Sequence, residues 1–286
     1  MDNKLFNSDF AKNSKFEYNF VGDIIEIDKW NQLAAQYKQY LNEINHNQKN
    51  DSKIPNKIHQ IWLGDKPLPK KSIKWINSWK KMNPEWEHKL WGEENIKELK
   101  ITEFNVYSKK INPGYRSDIL RYIILNKFGG VYVDTDFECL KSIPSDILQY
   151  KFIAGIMFGE KPYIGNSILM SHPNSLLLDR ILNNIKSKNY KNDINHIISS
   201  TGPNALTQDY FALPKEIKKD CLILPSNYFY PYPNFMLNKQ TNRYNEIEEI
   251  SIGIHHWEMT WMKGNLFNRI KNKLQVYFNR ILLNSK

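Results

Sequence analysis

The sequence predicts an α/β fold, a mostly parallel central sheet flanked by helices, and three observations carry that expectation. A β-branched run from Ile54 to Gly64 is followed by a helical stripe near 70–81 and a second strand pattern at 87–91. Strand, helix, strand in that order favours parallel pairing through a crossover. A longer helical stripe, Tyr115 to Lys127, runs into Gly129-Gly130 and then directly into the short strand Val131-Tyr132-Val133. The chain of 286 residues is 41% apolar and 13% aromatic, enough to build one large domain around such a sheet.

The elements follow in order. Residues 1–22 are polar and rich in Asn and Lys, whereas Trp30, Leu33, Tyr37, Tyr40, Leu41 and Ile44 recur at helical spacing between Asp28 and Asn45. The tract NHNQKNDSK at 45–53 has almost nothing to bury and reads as a linker, so 1–53 is an N-terminal helical extension and the main domain runs over 54–264. Within it, Ile73, Trp75, Ile76 and Trp79 form the apolar stripe of the helix at 70–81. Ile119, Leu120, Ile123, Ile124 and Phe128 line one face of the next helix, which Gly129-Gly130 ends as a left-handed cap. Strands are expected at 152–157, 167–170 and 221–225, helices at 175–185 and 205–211, and an aromatic, Pro-bearing loop (YFYPYP) at 228–233. Residues 265–286 form a basic amphipathic helix with Phe267, Ile270, Leu274, Tyr277, Phe278, Ile281 and Leu282 on one side. That helix either lies on an anionic membrane or packs against the domain.

Composition removes several classes. No stretch of 18 or more apolar residues occurs, which excludes a membrane-spanning helix. The start, MDNKLFNSDFAKNSK, has no secretory apolar run, so the expected location is the cytoplasm, with the inner face of a membrane as the alternative. Cys139 and Cys221 stand far apart without zinc-type spacing and are expected to be buried thiols. The net charge of +10 favours anionic partners, but no nucleic-acid motif is present, so nucleic acid is not an expected partner.

Two short patterns carry chemistry. Asp134-Thr135-Asp136 follows a buried strand, and in an open α/β sheet ligands lie beyond the carboxyl ends of the strands. Two carboxylates there suit a hard divalent ion, Mn2+ or Mg2+, whose remaining ligands are typically phosphate oxygens. Asp118 and Arg121, three apart on the preceding helix, share a face and could grip one ligand, the carboxylate taking hydroxyls and the guanidinium hydroxyls or phosphate.

Five stretches in this order resemble glycosyltransferase family 32: Ile54 to Gly64, Ser117-Asp118-Ile119-Leu120-Arg121-Tyr122, Gly129 to Asp136, Thr201-Gly202-Pro203, and Ile254-His255-His256-Trp257 through Trp261. That family includes yeast α-mannosyltransferases and bacterial capsule and lipopolysaccharide sugar transferases, and is distantly related to glucosylating toxins. The resemblance covers roughly 54–264. It implies a Rossmann-like GT-A fold, a nucleotide-sugar donor, a divalent metal and retention of anomeric configuration. By position it implies that Trp62 stacks on the donor base, that Asp118 and Arg121 hold the transferred sugar and its phosphate side, and that Asn166 lies near the anomeric carbon. It further implies Asp134 and Asp136 at the metal, a His from the closing segment completing the metal shell, and Trp261 at the diphosphate. If Ile252 and Ile254 point into the core, alternation puts His256 inward, so His256 is the expected ligand rather than His255. Thr260 stands where the family commonly has Ser, and Met259 where a small residue is usual.

The function implied is transfer of a hexose or N-acetylhexosamine, from a UDP-sugar in preference to GDP-mannose, to a glycan or lipid-linked acceptor in bacterial surface polysaccharide synthesis. Two other classes compete. A metal-dependent phosphohydrolase could use the paired carboxylates, but two-metal sites call for a denser acidic set. A noncatalytic anionic-glycan-binding protein would explain the charge but not the Asp118, Arg121, Asp134, Asp136 set.

Overall fold

The computed structural model describes residues 24–46, 54–157, 161–234, 242–258 and 260. The expected polar start at 1–22, most of the linker, Trp261 and the basic helix at 265–286 lie outside the described residues. In chain order the elements are α1 (Ile24–Asn45), β1 (Lys57–Ile61), α2 (Lys70–Met82), β2 (Glu87–Trp91), α3 (Pro113–Phe128), β3 (Gly130–Val133), β4 (Phe137–Cys139), β5 (Phe152–Met157) and β6 (Tyr163–Ser171). They continue with α4 (Leu176–Lys186), α5 (Ile194–Ser200), α6 (Pro203–Phe211), α7 (Lys215–Lys218), β7 (Cys221–Leu224), α8 (Ser226–Phe229) and β8 (Gly253–His255).

Six strands form the central sheet in the order β2-β1-β3-β6-β5-β7, and β4 pairs with β8 in a separate ribbon. β1 runs parallel to β2 and to β3, and β5 parallel to β7. β6 alone in that sheet is reversed, antiparallel to β3 and β5. The reversal follows from chain length, because the short link from Met157 to Tyr163 cannot make the crossover that parallel pairing needs. The mostly parallel sheet flanked by helices is thus the observed architecture. No helix among the described residues is long and apolar enough to cross a membrane.

The sheet core is built from strands buried on both faces, β3, β5 and β7 being almost wholly inaccessible. α1 joins this core rather than standing apart from it: Trp30, Leu33, Tyr37 and Tyr40 belong to the same apolar cluster. Its Gln36 also closes the sheet edge, donating to the carbonyls of Lys218 (2.9 Å) and Cys221 (2.5 Å) while accepting from the Ile223 N–H (3.1 Å). α8 occupies part of the segment expected to be a loop. There Pro225 and Pro231 punctuate the chain, yet Tyr228, Phe229, Tyr230 and Tyr232 are all buried, so core filling overrides the turn signal.

The junction of α3 and β3 places the site. The Asn112 side chain caps α3 by accepting from Gly114 N–H (2.8 Å), with Pro113 at the first helical position. Gly129 and Gly130 then take positive φ, 63° and 97°. A Cβ on Gly130 would stand 2.5 Å from the Lys57 carbonyl, so the strand can lie this close to β1 only without a side chain there.

Buried under this junction, His59 accepts at Nδ1 from Trp91 Nε1 (3.3 Å), which leaves Nε2–H to donate to the Gly129 carbonyl (3.1 Å). Burial lowers its pKa to about 4. Between pH 6.5 and 4 the unfolded imidazole is protonated and the folded one is not, so the His59 contribution to stability is lost as pH falls, by about 3 kcal/mol at most. His59→Gln should therefore melt well below the wild type at pH 7.5 and close part of that gap at pH 5. A gap independent of pH would contradict a neutral buried His59.

Candidate active site

The turn after β3 brings the acidic pair to the carboxyl end of the sheet. Asp134 N–H donates to the Ser167 carbonyl (2.8 Å), and Phe137 N–H returns to the Asp134 carbonyl (3.1 Å), closing a tight turn over Thr135 and Asp136. Asp136 is then held by the closing segment, its Oδ1 3.1 Å from His255 Nε2 and its Oδ2 accepting from Glu258 N–H at 2.8 Å. Burial alone would raise the Asp136 pKa, but the imidazole beside it and the backbone donor outweigh that and keep it below the ordinary carboxylate value.

α3 supplies the second half of the site. Arg121 is buried and fans its guanidinium over several acceptors: the carbonyls of Asn166 (2.6 Å) and Ser117 (3.2 Å), Asp118 Oδ1 (3.0 Å) and Asp134 Oδ1 (3.4 Å). Its guanidinium lies 4.4 Å from the centre of the Tyr132 ring, whose hydroxyl donates to Asp134 Oδ1 (2.5 Å). Asp118 accepts from Asn166 Nδ2 and from Thr201 Oγ1, both at 2.9 Å. Burial raises its carboxyl to about 6 in spite of Arg121, Thr201 and Asn166, which pull the other way. α3, β3, β6 and the C-cap of α5 thus converge on one network.

Asp134, Asp136 and His255 each offer a ligand atom, and these atoms lie within 4.8 Å of one another. His255 is buried against Phe137 (ring centroids 5.3 Å apart) and Trp257 (4.1 Å), and its Nδ1 has no hydrogen-bond partner among the described residues. Two carboxylates and an imidazole with an orphaned nitrogen fit a divalent cation.

Of the two histidines, the structure brings His255 rather than the expected His256 to the acidic pair. His256 does not reach Asp136 through its ring; it stacks on Trp75 of α2 (4.1 Å, 12°), accepts from Arg243 Nη1 at Nδ1 (2.8 Å) and donates from Nε2 to Glu138 (2.9 Å). Alternation holds, for His256 does share a side with Ile254. Alternation does not decide which ring meets Asp136, because the β4–β8 ribbon is buried on both faces and because Asp136 sits in the turn before β4, outside the ladder whose period sets side-chain direction.

Trp62 lies just past β1, half-exposed, with Nε1 donating to the Lys66 carbonyl (2.8 Å). With Gly64, Leu90, Gly92 and Asn95 it lines a cleft of about 480 Å³. Asn166 is held to Asp118, as above, and Gly202-Pro203 begins α6. Trp261 and Met259 lie outside the described residues. Thr201, Tyr132, Tyr230 and Trp257 were not anticipated as site residues. Tyr230 is fully buried among Phe137, His255 and Trp257, and a Cβ on Gly165 would fall 2.2 Å from its hydroxyl, which ties that glycine to the ring. For Tyr132 the signal was available, since a residue two before Asp134 lies on the same side of the strand.

Comparison with known proteins bears on this geometry. Residues 69–153 match the family described as glycosyltransferase sugar-binding region containing DXD motif, and the matched stretch contains Asp118, Arg121, Asp134 and Asp136. Residues 69–153 are thus similar to the DXD-bearing sugar-binding region of glycosyltransferases. The chain is 27% identical over 186 residues to uncharacterized glycosyltransferase L373 of Acanthamoeba polyphaga mimivirus, covering 62% of this chain and 73% of that one. It is 28% identical over 201 residues to inositol phosphoceramide mannosyltransferase 3 of Schizosaccharomyces pombe, covering 66% of this chain and 50% of the relative, so it spans about half the length of that protein. Among solved structures it is similar to PaToxG glycosyltransferase, with TM-score 0.48 and 20% identity over 65% of this chain and 79% of that one.

Arg121→Met tests the network without recourse to activity. Losing the guanidinium leaves Asp118 buried, and Asp134 partly buried, without their shared cation, and the expected cost in a urea melt is about 3–5 kcal/mol, most of it from Asp118. A loss under about 1 kcal/mol would show that the carboxylates do not depend on Arg121.

Proposed function

We propose that the protein is a metal-dependent, retaining hexosyltransferase of glycosyltransferase family 32 that takes a hexose or N-acetylhexosamine from a nucleotide sugar. A UDP-sugar is favoured as donor and GDP-mannose is the alternative. The observation that carries this reading is the convergence of Asp134, Asp136 and His255 beside the Asp118–Arg121–Asn166 network at the carboxyl end of β3. A bound Mn2+ or Mg2+ would supply positive charge to the departing diphosphate. Asp134, Asp136 and His255 would hold it.

The protein's own groups do the rest. Arg121 fixes Asp118 and Asp134 in register, and its charge raises the local potential where the leaving oxygens gather electrons. Asp118, oriented by Thr201 and Asn166, presents a carboxylate to sugar hydroxyls and to the positive charge that develops on the ring. Trp62, in its cleft, would stack on the nucleobase, and Trp261 would meet the diphosphate. His256 would act indirectly, by fastening the segment that carries His255.

The acceptor we propose is a glycan or a lipid-linked saccharide. The fission yeast relative is by name a mannosyltransferase of inositol phosphoceramide, which supports a lipid-borne acceptor and keeps GDP-mannose in view. The bacterial surface polysaccharide setting rests on the sequence resemblance, and a location at the inner face of a membrane on the basic, apolar-striped pattern of 265–286.

Incubation with UDP-glucose, UDP-N-acetylglucosamine and GDP-mannose, with and without Mn2+, tests the reading through release of UDP or GDP. Asp136→Asn and His255→Ala should each lower metal-dependent release by about 10²–10³-fold, and His256→Gln by about 10-fold. Phosphodiester cleavage in place of nucleotide release would favour the hydrolase. Undiminished release by Asp136→Asn would overturn the assignment.

A further inference from the structure

α2 has two faces with different partners. On the inner face Trp79 Nε1 donates to the Phe137 carbonyl (2.8 Å), Trp75 stacks on His256, and Lys71 pairs with Glu258, whose N–H holds Asp136. The helix is thereby fastened to the segment that closes the site. On the outer face Lys70, Lys74, Asn77 and Lys81 recur at three- and four-residue spacing and are all exposed, with Lys80 and Ile73 (43% exposed) beside them.

That outer face is costly as it stands. The helix holds five lysines in thirteen residues and no acid, and the first acid after it is Glu85. Among the described residues only Lys71 of the five forms an ion pair. Lys80 and Lys81 sit favourably at the carboxyl end of the helix dipole, but Lys70 sits at the end that repels cations, and Pro69 offers no side-chain cap. Lys70 and Lys74 are also like charges four apart. A negatively charged surface laid against this face removes each of these penalties at once.

We propose that the outer face of α2 docks the protein on an anionic phospholipid bilayer. Lys70 to Lys81 spans about 16 Å of helix axis, so the ammonium groups match phosphates spread over a plane rather than one small anion. Ile73 gives the face an aliphatic side chain to enter the interface alongside the lysine stems. The face presents no exposed aromatic ring for stacking on a nucleic-acid base. Because α2 is fastened to His256 and Glu258, docking sets the bilayer beside the closing segment of the site. The purpose of that placement rests on the proposed lipid-borne acceptor, whereas the binding does not.

The test is co-sedimentation of the full chain with phosphatidylcholine vesicles, with and without phosphatidylglycerol. Wild type should sediment only with the anionic vesicles. Lys70→Gln/Lys74→Gln/Lys81→Gln should bind about two orders of magnitude more weakly, a factor of about five per lysine. The same three positions changed to Arg should bind like wild type, and all variants should release nucleotide from the donor in solution as wild type does. A second full-length variant, Arg269→Gln/Lys271→Gln/Lys273→Gln/Arg280→Gln, keeps the α2 face and should bind within a few-fold of wild type. Binding that disappears only in this second variant, wild type that ignores phosphatidylglycerol, or a basic face that binds RNA but not vesicles would each overturn the proposal. Loss of nucleotide release with vesicle binding intact would strike the catalytic reading alone.

Discussion

The site depends on a buried guanidinium placed between carboxylates. Arg121 reaches Asp118 and Asp134 at once and spends two further N–H groups on the carbonyls of Ser117 and Asn166. Without that cation, burying the Asp118 carboxylate beside the partly exposed Asp134 would cost several kcal/mol. With it, α3, β3 and β6 are locked to one another at the place where the sheet meets solvent. The fold and the site are therefore held by the same contacts, and a lysine in place of Arg121, with one point charge and no planar fork, could not make them all.

Asp136 stands outside this arrangement and is managed differently. Its carboxylate is held by the His255 ring and the Glu258 N–H, both from the closing segment, so the acidic tip is completed by residues more than a hundred positions away. The segment itself is secured from behind by Trp75, Glu138 and Arg243 around His256. Two adjacent histidines thus have different work: one faces the carboxylates and the other fastens the strand that carries it.

Much of this was legible in the sequence, and the reasons for the rest are physical. Hydrophobic period and the Gly129-Gly130 stop located α2, α3 and β3 within a few residues, because long amphipathic elements and a close strand approach leave strong local marks. The pairing of Asp118 with Arg121 followed from helical spacing alone. The β4–β8 ribbon was weakly marked because each strand has three residues, too few for a period, and its burial on both faces hid which histidine meets Asp136. Thr201 reaches Asp118 from 83 residues away, a contact that only the folded chain reveals. α8 was masked by prolines that in other settings mark a loop, while its aromatic residues fill the core.

The claim at the centre of this account is that Asp134, Asp136 and His255 together hold one divalent cation. Anomalous diffraction from crystals grown with Mn2+ and UDP tests it most directly. The account predicts a single strong manganese peak bounded by those three side chains, with His256 still stacked on Trp75. A peak coordinated by His256 and Glu138 instead, or a site that stays empty at saturating Mn2+ and UDP, would contradict it.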